Sequence, residues 1–155
     1  MSIRTCLMTS ALALLIAFGA GAASADAALK SPKKVEKSLA TFNRVVDHTA
    51  RLITAKNYTH LLHENDELKE GAEALEKNIA KEPDDFQAKV KPLLEKAEAD
   101  SQALADAAKA KDDDRLSSAH AALVASVSAL IGAFPAAVQP PPGKAKEPKE
   151  TGPQK

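Results

Sequence analysis

The sequence predicts an all-α protein: an antiparallel up-down-up-down four-helix bundle with a disordered Pro-rich C-terminal tail. Apolar residues recur every three or four positions in four segments of similar length, which is the spacing of one helix face. The connections between these segments are short, as in an up-down bundle. No segment carries a strand signal. We expect a signal peptide at residues 1–25, the bundle at 26–135 and the tail at 136–155.

The N-terminus has the three parts of a secretory signal peptide. Arg4 supplies positive charge, residues 6–21 form an apolar stretch, and Ala23-Ser24-Ala25 is an A-x-A cleavage site. We therefore expect export to the periplasm with cleavage before Asp26. The mature chain is then expected to have no membrane span.

Cleavage would remove the only cysteine, Cys6, and both methionines, Met1 and Met8. The mature protein would then lack disulfides, thiol nucleophiles and sulfur ligands, so its core alone must hold it together. Without Arg4, the 21 basic residues fall to 20, against 21 acidic residues. This balance, with no basic patch, argues against nucleic acid and anionic membranes as main partners.

The first helix is predicted over residues 32–55. Ser31 is a suitable N-cap, and Pro32 takes the first helical position, where its missing N–H costs nothing. The predicted buried stripe is Val35, Leu39, Phe42, Val46 and Ile53, flanked by Val45 and Leu52.

A break is predicted at residues 56–59, where Asn57 or Thr59 could cap the next helix. Because this stretch contains neither Gly nor Pro, one continuous long helix is the alternative. The second helix is predicted over residues 58–80, with Asn65 at a core position. Its other core positions are Leu61, Leu68, Ala72, Leu75 and Ile79.

The third helix is predicted over residues 83–110, and its start at Pro83 followed by two acids suits a helix N-terminus. Pro92 lies inside it and should kink the helix or split it in two. The fourth helix is predicted over residues 112–134 and should stop at Pro135. The inward positions are Phe86, Val90, Leu93, Leu94, Ala97, Leu104 and Ala108 in the third helix, and Leu116, His120, Leu123, Val127, Leu130 and Phe134 in the fourth.

The amino-acid composition of the chain changes after residue 135. Prolines mix with Lys, Glu and Gly, and large apolar residues vanish after Val138. Such a composition cannot bury a core, so we predict an extended, disordered tail. A solvated end is the simpler interpretation, and a tether or a ligand for a Pro-binding partner is the alternative.

Three stretches show a family pattern: Leu52-Ile53-Thr54-Ala55-Lys56-Asn57-Tyr58 at the first turn, Ala107-Ala108-Lys109-Ala110-Lys111-Asp112 at the last turn, and residues 123–134. Their order resembles the cytochrome c-prime and soluble cytochrome b superfamily of exported four-helix bundles. The resemblance implies the bundle fold and, in the family, a haem cofactor.

The haem-binding residues of that family are missing here. Where c-type members carry a CxxCH attachment sequence, this chain has Val127-Ser128-Ala129-Leu130-Ile131. A b-type haem needs a Met in the first helix and a His near the end of the last. The mature chain would have no Met, and His120 lies near the beginning of the fourth helix. The resemblance thus implies a haemless member.

Four histidines offer the remaining distinctive chemistry: His48, His60, His63 and His120. At a helical rise of about 1.5 Å per residue, an antiparallel bundle places them within roughly 10 Å along its axis, at one end. Imidazoles with neighbouring carboxylates suit Cu or Zn, so these four are the predicted metal ligands. His120 should face inward and His60 lie at the flank, while His48 and His63 should point mostly outward.

This arrangement favours a partial surface site, such as His60 with His63 and a carboxylate, over a closed four-ligand site. The alternative interpretation is that His120 is a hydrogen-bonded core residue and the other three histidines are solvated. The sequence alone leaves both interpretations open.

No catalytic constellation is visible: the sequence has no Gly-rich phosphate loop, no HExxH and no shielded carboxylate pair. We therefore expect a non-catalytic, exported binding protein of the periplasm, with Cu or Zn bound through histidines as the first candidate ligand. The alternatives are a cytochrome-type protein that binds haem non-covalently through His120, and a protein–protein interaction scaffold. The small residues of the fourth helix could also pair two copies into a homodimer.

Overall fold

The computed structural model describes residues 29–140, and the predicted signal peptide and residues 141–155 lie outside this range. The described residues form four α-helices and a short 3-10 helix, and they contain no strand, which confirms the all-α fold class. The helices are α1 (Pro32–Thr54), α2 (Tyr58–Ile79), α3 (Asp84–Ala110) and α4 (Asp113–Gly132), and the 3-10 helix is Ala136–Val138.

Contacts at both ends of the bundle define how the helices are arranged. Tyr58, at the start of α2, donates a hydrogen bond to Asp113 at the start of α4, with 2.8 Å between oxygens. At the other end, Phe86 of α3 packs edge to face on Phe134, with ring centres 5.4 Å apart. Each helix packs on the next, and α1 packs on α4. An up-down-up-down order requires these contacts.

The turns at one end of the bundle share a local design. Lys56 and Lys111 each have a positive φ, 51° and 54°, which stops the preceding helix. Asn57 and Asp112 follow as N-caps, and each side chain accepts the backbone N–H three residues further on, at 3.3 and 3.0 Å. The predicted break between the first two helices is therefore confirmed, and the continuous helix is excluded.

The core follows the predicted stripes, except that Phe86 and Leu93 of α3 are only half-buried and the stripe of α1 is shifted. In α1, Val45 and Leu52 are buried, whereas Val46 and Ile53 are half-buried, so the buried stripe is rotated slightly from its predicted position. The predicted core positions of α2 are all buried. The largest fully buried side chains are Leu39, Phe42, Leu61, Leu68, Leu75, Ile79, Leu116, Leu123 and Leu130.

Asn65 occupies the core position that the sequence predicts, and it has a polar partner there. Its side chain lies 2.9 Å from the hydroxyl of Ser101 on α3, and both residues are buried. Buried polar groups are tolerated when they are hydrogen-bonded. This pair therefore joins α2 to α3 within the core.

Pro92 does not split the third helix, because α3 is continuous from Asp84 to Ala110. A proline inside a helix leaves the carbonyl four residues earlier without its usual donor. Here that residue is Ala88, and both Ala88 and Pro92 are exposed. Water can satisfy this carbonyl, so the missing backbone hydrogen bond is tolerated.

The folded region extends past its predicted end at residue 135. Ala136–Val138 forms the 3-10 helix, which contacts α1, and Val138 is 5% exposed. The side chain of Gln139 donates to the carbonyl of Phe134 at 2.8 Å. The prediction of a disordered tail is therefore wrong for residues 136–140, because Val138 provides enough apolar surface to bind the bundle.

Among the described helices, α4 is the one that is long and apolar enough to cross a membrane by length and composition. The core helix of a soluble bundle has the same properties. Here α4 packs on α3 and α1.

Candidate functional site

The predicted ligands lie toward the end of the bundle that contains the α1–α2 and α3–α4 turns, which we call the histidine end. His48 is about two turns before the end of α1, and His120 is about two turns into α4. His60 and His63 lie in the first two turns of α2. The Asn57 cap fixes where α2 begins and therefore where this pair lies.

His60 and His63 are both exposed, and their ring centres are 6.1 Å apart at a tilt of 57°. A metal ion lies about 2 Å from an imidazole nitrogen, so two rings that share one ion have centres roughly 5 to 6 Å apart. The observed spacing is close to that range. Small side-chain rotations would bring both rings onto one ion.

The Asn57 cap also holds the ring of His60. Because Asn57 Oδ1 accepts the backbone N–H of His60, its amide nitrogen faces the ring and donates to Nδ1, at 3.2 Å. In residues 29–140, Nε2 of His60 makes no hydrogen bond. Because Nδ1 accepts from Asn57, the neutral ring carries its proton on Nε2. Metal ligation by His60 therefore requires this contact to break, whether Nδ1 binds the ion directly or the proton moves to Nδ1 and frees Nε2.

His48 makes a different contact, because its ring turns onto α2. His48 Nδ1 lies 2.6 Å from Glu64 Oε1, and the side chains are 44% and 6% exposed, respectively. A carboxylate can only accept, so Nδ1–H donates and Nε2 is left available. The other carboxylate oxygen, Glu64 Oε2, is buried without a hydrogen-bond partner in the described part of the chain. His48 is thus less outward-pointing than predicted.

His120 is half-buried and holds α4 against α1. Its Nε2 lies 3.2 Å from the carbonyl oxygen of Val46, so a proton on Nε2 makes this a hydrogen bond between the two helices. This is the hydrogen-bonded packing role that the alternative interpretation assigns to His120. A metal ion or a haem iron bound through Nε2 would have to displace the Val46 carbonyl.

The structure therefore does not bring the four predicted ligands together at one point, and they make three separate contacts. His60 pairs with His63, His48 pairs with Glu64, and His120 contacts the backbone of α1. Within residues 29–140, no three His, Cys, Asp or Glu side chains form a group that could hold a metal ion. Metal binding by these histidines stays a prediction that depends on the two pairs.

An exposed polar cluster ties the two turns of the histidine end together. Lys56 Nζ lies 2.6 Å from Asp113, and Tyr58 donates to the same carboxylate. These hydrogen bonds, first from Lys56 and then from Tyr58, hold the pKa of Asp113 below its usual value. The Asp113 carboxylate in turn raises the pKa of both Lys56 and Tyr58. The cluster holds the start of α4 beside the start of α2.

Glu64 is one of the carboxylates that neighbour the histidines in the sequence, but its burial and its contact with His48 were not predicted. It lies three residues after Leu61 and four before Leu68, and both leucines are core positions. That spacing places the carboxylate on the apolar side of α2. A charged residue at such a position was the signal that could have identified it.

The same seam between α1 and α2 continues as an open groove of about 460 Å³. Lys34, Lys37 and Arg44 line it from α1, and Glu67 and Glu70 line it from α2. An ion pair between Arg44 and Glu67 spans the seam.

No family model, curated protein or solved structure matches this chain. The resemblance to the cytochrome c-prime and soluble cytochrome b superfamily stays a prediction. The chemistry of the histidine end therefore has to support any functional proposal.

Proposed function

We propose that this protein is an exported, non-catalytic binding protein of the periplasm that takes up a Cu²⁺ or Zn²⁺ ion at the histidine end. Export is supported by Arg4, the apolar stretch and the A-x-A site near the N-terminus. Metal uptake is supported above all by one observation, the 6.1 Å spacing of the exposed His60 and His63 rings. Imidazole is a ligand that both ions favour.

Two exposed imidazoles on one helix make an open site, in which water or a third side chain completes the coordination. Such a site exchanges its metal with solution more readily than a closed tetrahedral one. A carrier or buffer of metal ions needs this property. Binding one ion at the start of α2 would also add a constraint next to the Asn57 cap.

Titration calorimetry of the protein purified from the periplasm, with Cu²⁺ and then Zn²⁺, tests the proposal. We expect one ion to bind with micromolar or tighter affinity. The His60→Ala/His63→Ala variant should weaken binding at least tenfold, because it removes both exposed imidazoles. Circular dichroism checks that the variant remains helical.

His120→Ala is the matched control, because it removes an imidazole that is engaged with the Val46 carbonyl. Its affinity for both ions should equal that of the wild type. Absence of heat with either ion, or unchanged affinity in the His60→Ala/His63→Ala variant, would overturn the proposal.

Non-covalent haem binding through His120 is the alternative that a second titration tests. A Soret band on haem addition that His120→Ala abolishes would support this cytochrome-type function. If neither metal nor haem binds, a protein–protein interaction scaffold is the remaining alternative.

A further inference from the structure

The contact between His48 and Glu64 has the features of a metal ligand backed by a carboxylate. We propose that His48 is a ligand of the ion at the histidine end and that Glu64 is its positioning residue. This inference rests on the proposed function, because it specifies further residues of the same site. It adds Glu64, a residue that would not touch the ion itself.

The hydrogen bond between the two side chains determines which nitrogen of His48 is available. Because Glu64 Oε1 accepts from Nδ1–H, the neutral imidazole carries its lone pair on Nε2. Ligating histidines in metalloproteins commonly donate their other N–H to a carboxylate, which fixes the tautomer and increases the basicity of the ligand. His48 already has this arrangement.

The ligand atom of His48 also reaches solvent. Nε2 makes no hydrogen bond within residues 29–140, and Glu64 Oε2 is the buried side-chain atom found there without a partner. The His48 side chain is 44% exposed. An ion could therefore approach Nε2 from outside without disturbing the core.

The burial of Glu64 adds a second, independent argument. Its side chain is 6% exposed, and one of its oxygens lacks a partner. A buried carboxylate that is incompletely hydrogen-bonded carries a substantial desolvation cost. A divalent ion on His48 would place positive charge next to this carboxylate, and the attraction would offset part of that cost.

The position of His60 connects this pair to the exposed histidines. His60 precedes Glu64 by four residues on α2, so the two side chains lie on the same side of the helix, one turn apart. Glu64 contacts α1 through His48. His60 therefore lies one turn along the same α1-facing flank. In the described structure the two rings make separate contacts, so both side chains would have to rotate for His48 and His60 to share one ion.

The test compares Glu64→Gln with Glu67→Gln in Zn²⁺ titration calorimetry of the whole protein. Glutamine at position 64 keeps an oxygen that can accept from His48 but removes the negative charge. We expect Glu64→Gln to weaken Zn²⁺ binding by about 10- to 100-fold, and His48→Ala to weaken it at least as much. Glu67→Gln is the matched control, since Glu67 pairs with Arg44 on the surface, and its affinity should be unchanged.

A spectroscopic measurement separates positioning from a merely structural role. Long-range ¹H–¹⁵N NMR should show His48 as the Nδ1–H tautomer without metal, and its Nε2 resonance should move when Zn²⁺ is added. A structural role for Glu64 would lower thermal stability in Glu64→Gln but leave the Zn²⁺ affinity and the Nε2 shift unchanged. That result would overturn the inference.

The outcomes also separate the inference from the proposed function. If His60→Ala/His63→Ala weakens binding while His48→Ala and Glu64→Gln bind as the wild type does, the inference fails and the proposed function stands. If the wild type binds no Zn²⁺ or Cu²⁺, both fail. Should Glu64→Gln not fold, His48→Ala and the wild-type NMR titration decide.

Discussion

The two ends of the bundle each bury one glutamate, and the two carboxylates have different partners. Glu82, in the α2–α3 turn, accepts the backbone N–H of Lys30 at 2.8 Å. Glu64, at the histidine end, accepts from the imidazole of His48 at 2.6 Å, and its second oxygen has no hydrogen-bond partner among residues 29–140. Burial is nearly equal for the two residues.

This difference shows that the hydrogen-bond partner of a buried carboxylate says more about its role than its degree of burial does. The backbone N–H of Lys30 cannot coordinate a metal ion, so the contact with Glu82 fastens the segment before α1 to the α2–α3 turn. The imidazole of His48 can coordinate a metal ion through its other nitrogen. The comparison is therefore consistent with a structural role for Glu82 and with the positioning role that we propose for Glu64.

The surroundings of the two glutamates also differ, being apolar near Glu82 and polar at the histidine end. Near Glu82 the bundle is closed by apolar contacts, with Phe86 on Phe134 and Val138 buried against the core. We call this the phenylalanine end. The histidine end is closed by polar contacts at the surface. Stability should therefore depend more on the phenylalanine end than on the histidine end.

The largest expected effect tests this dependence. Phe134→Ala removes a buried ring and its edge-to-face contact with Phe86, and we expect it to lower the free energy of unfolding by about 3–5 kcal/mol. His120→Ala, which removes one half-buried ring and its hydrogen bond, should cost about 1 kcal/mol. Urea denaturation of the metal-free proteins measures both, and equal losses would contradict the contrast between the ends.

An effect of intermediate size is expected when each of the two glutamates is replaced by leucine. Glu82→Leu leaves the N–H of Lys30 without its acceptor and should lower the free energy of unfolding by about 1–3 kcal/mol. Glu64→Leu leaves His48 to be hydrated by water and removes a buried oxygen that has no partner. Without metal we expect it to stay within about 1 kcal/mol of the wild type. A larger loss for Glu64→Leu than for Glu82→Leu would reverse the assignment.

The smallest effect concerns the surface cluster at the histidine end. Because hydrogen bonds from Lys56 and Tyr58 hold the pKa of Asp113 below its usual value, the ionised form contributes stability at pH values above that usual pKa. This contribution is lost as the pH falls through the lower pKa of the folded protein. Asp113→Asn should therefore lower Tm slightly at neutral pH, and its difference from the wild type should vanish in acid. A difference that grows on acidification would contradict this account.

Periodicity was enough to predict the four helices, because large apolar residues occur at helical spacing in each. The break at residues 56–59 depends on the positive φ of Lys56, which cannot be predicted from a lysine in the sequence. The N-cap residue Asn57, in contrast, is recognisable from the sequence. The exchange of Val46 for Val45 in the core depends on how α1 rotates against its neighbours. Single-helix spacing cannot fix that rotation.

The candidate site was only partly predictable. The i,i+3 spacing of His60 and His63 follows from the sequence, as does their place in the first turns of α2. The turn of His48 onto Glu64 does not, since it depends on the approach of α1 to α2. Gly71 lies on that seam, where an added Cβ would come within 3.3 Å of the methyl group of Thr41. Such close approach is a property of the packed pair of helices.

The described chain begins and ends on the same side of the molecule. Lys30 lies against the α2–α3 turn, and Val138 packs beside α1 after α4 has returned to that side. Attaching the protein to a surface through residue 29 or residue 140 would therefore hold it by the phenylalanine end and present the histidine end to the solution. A fluorophore fused at residue 140 would sit about one bundle length, roughly 30 Å, from a metal at that end. The length of the bundle thus sets the donor–acceptor distance in an energy-transfer measurement of metal uptake.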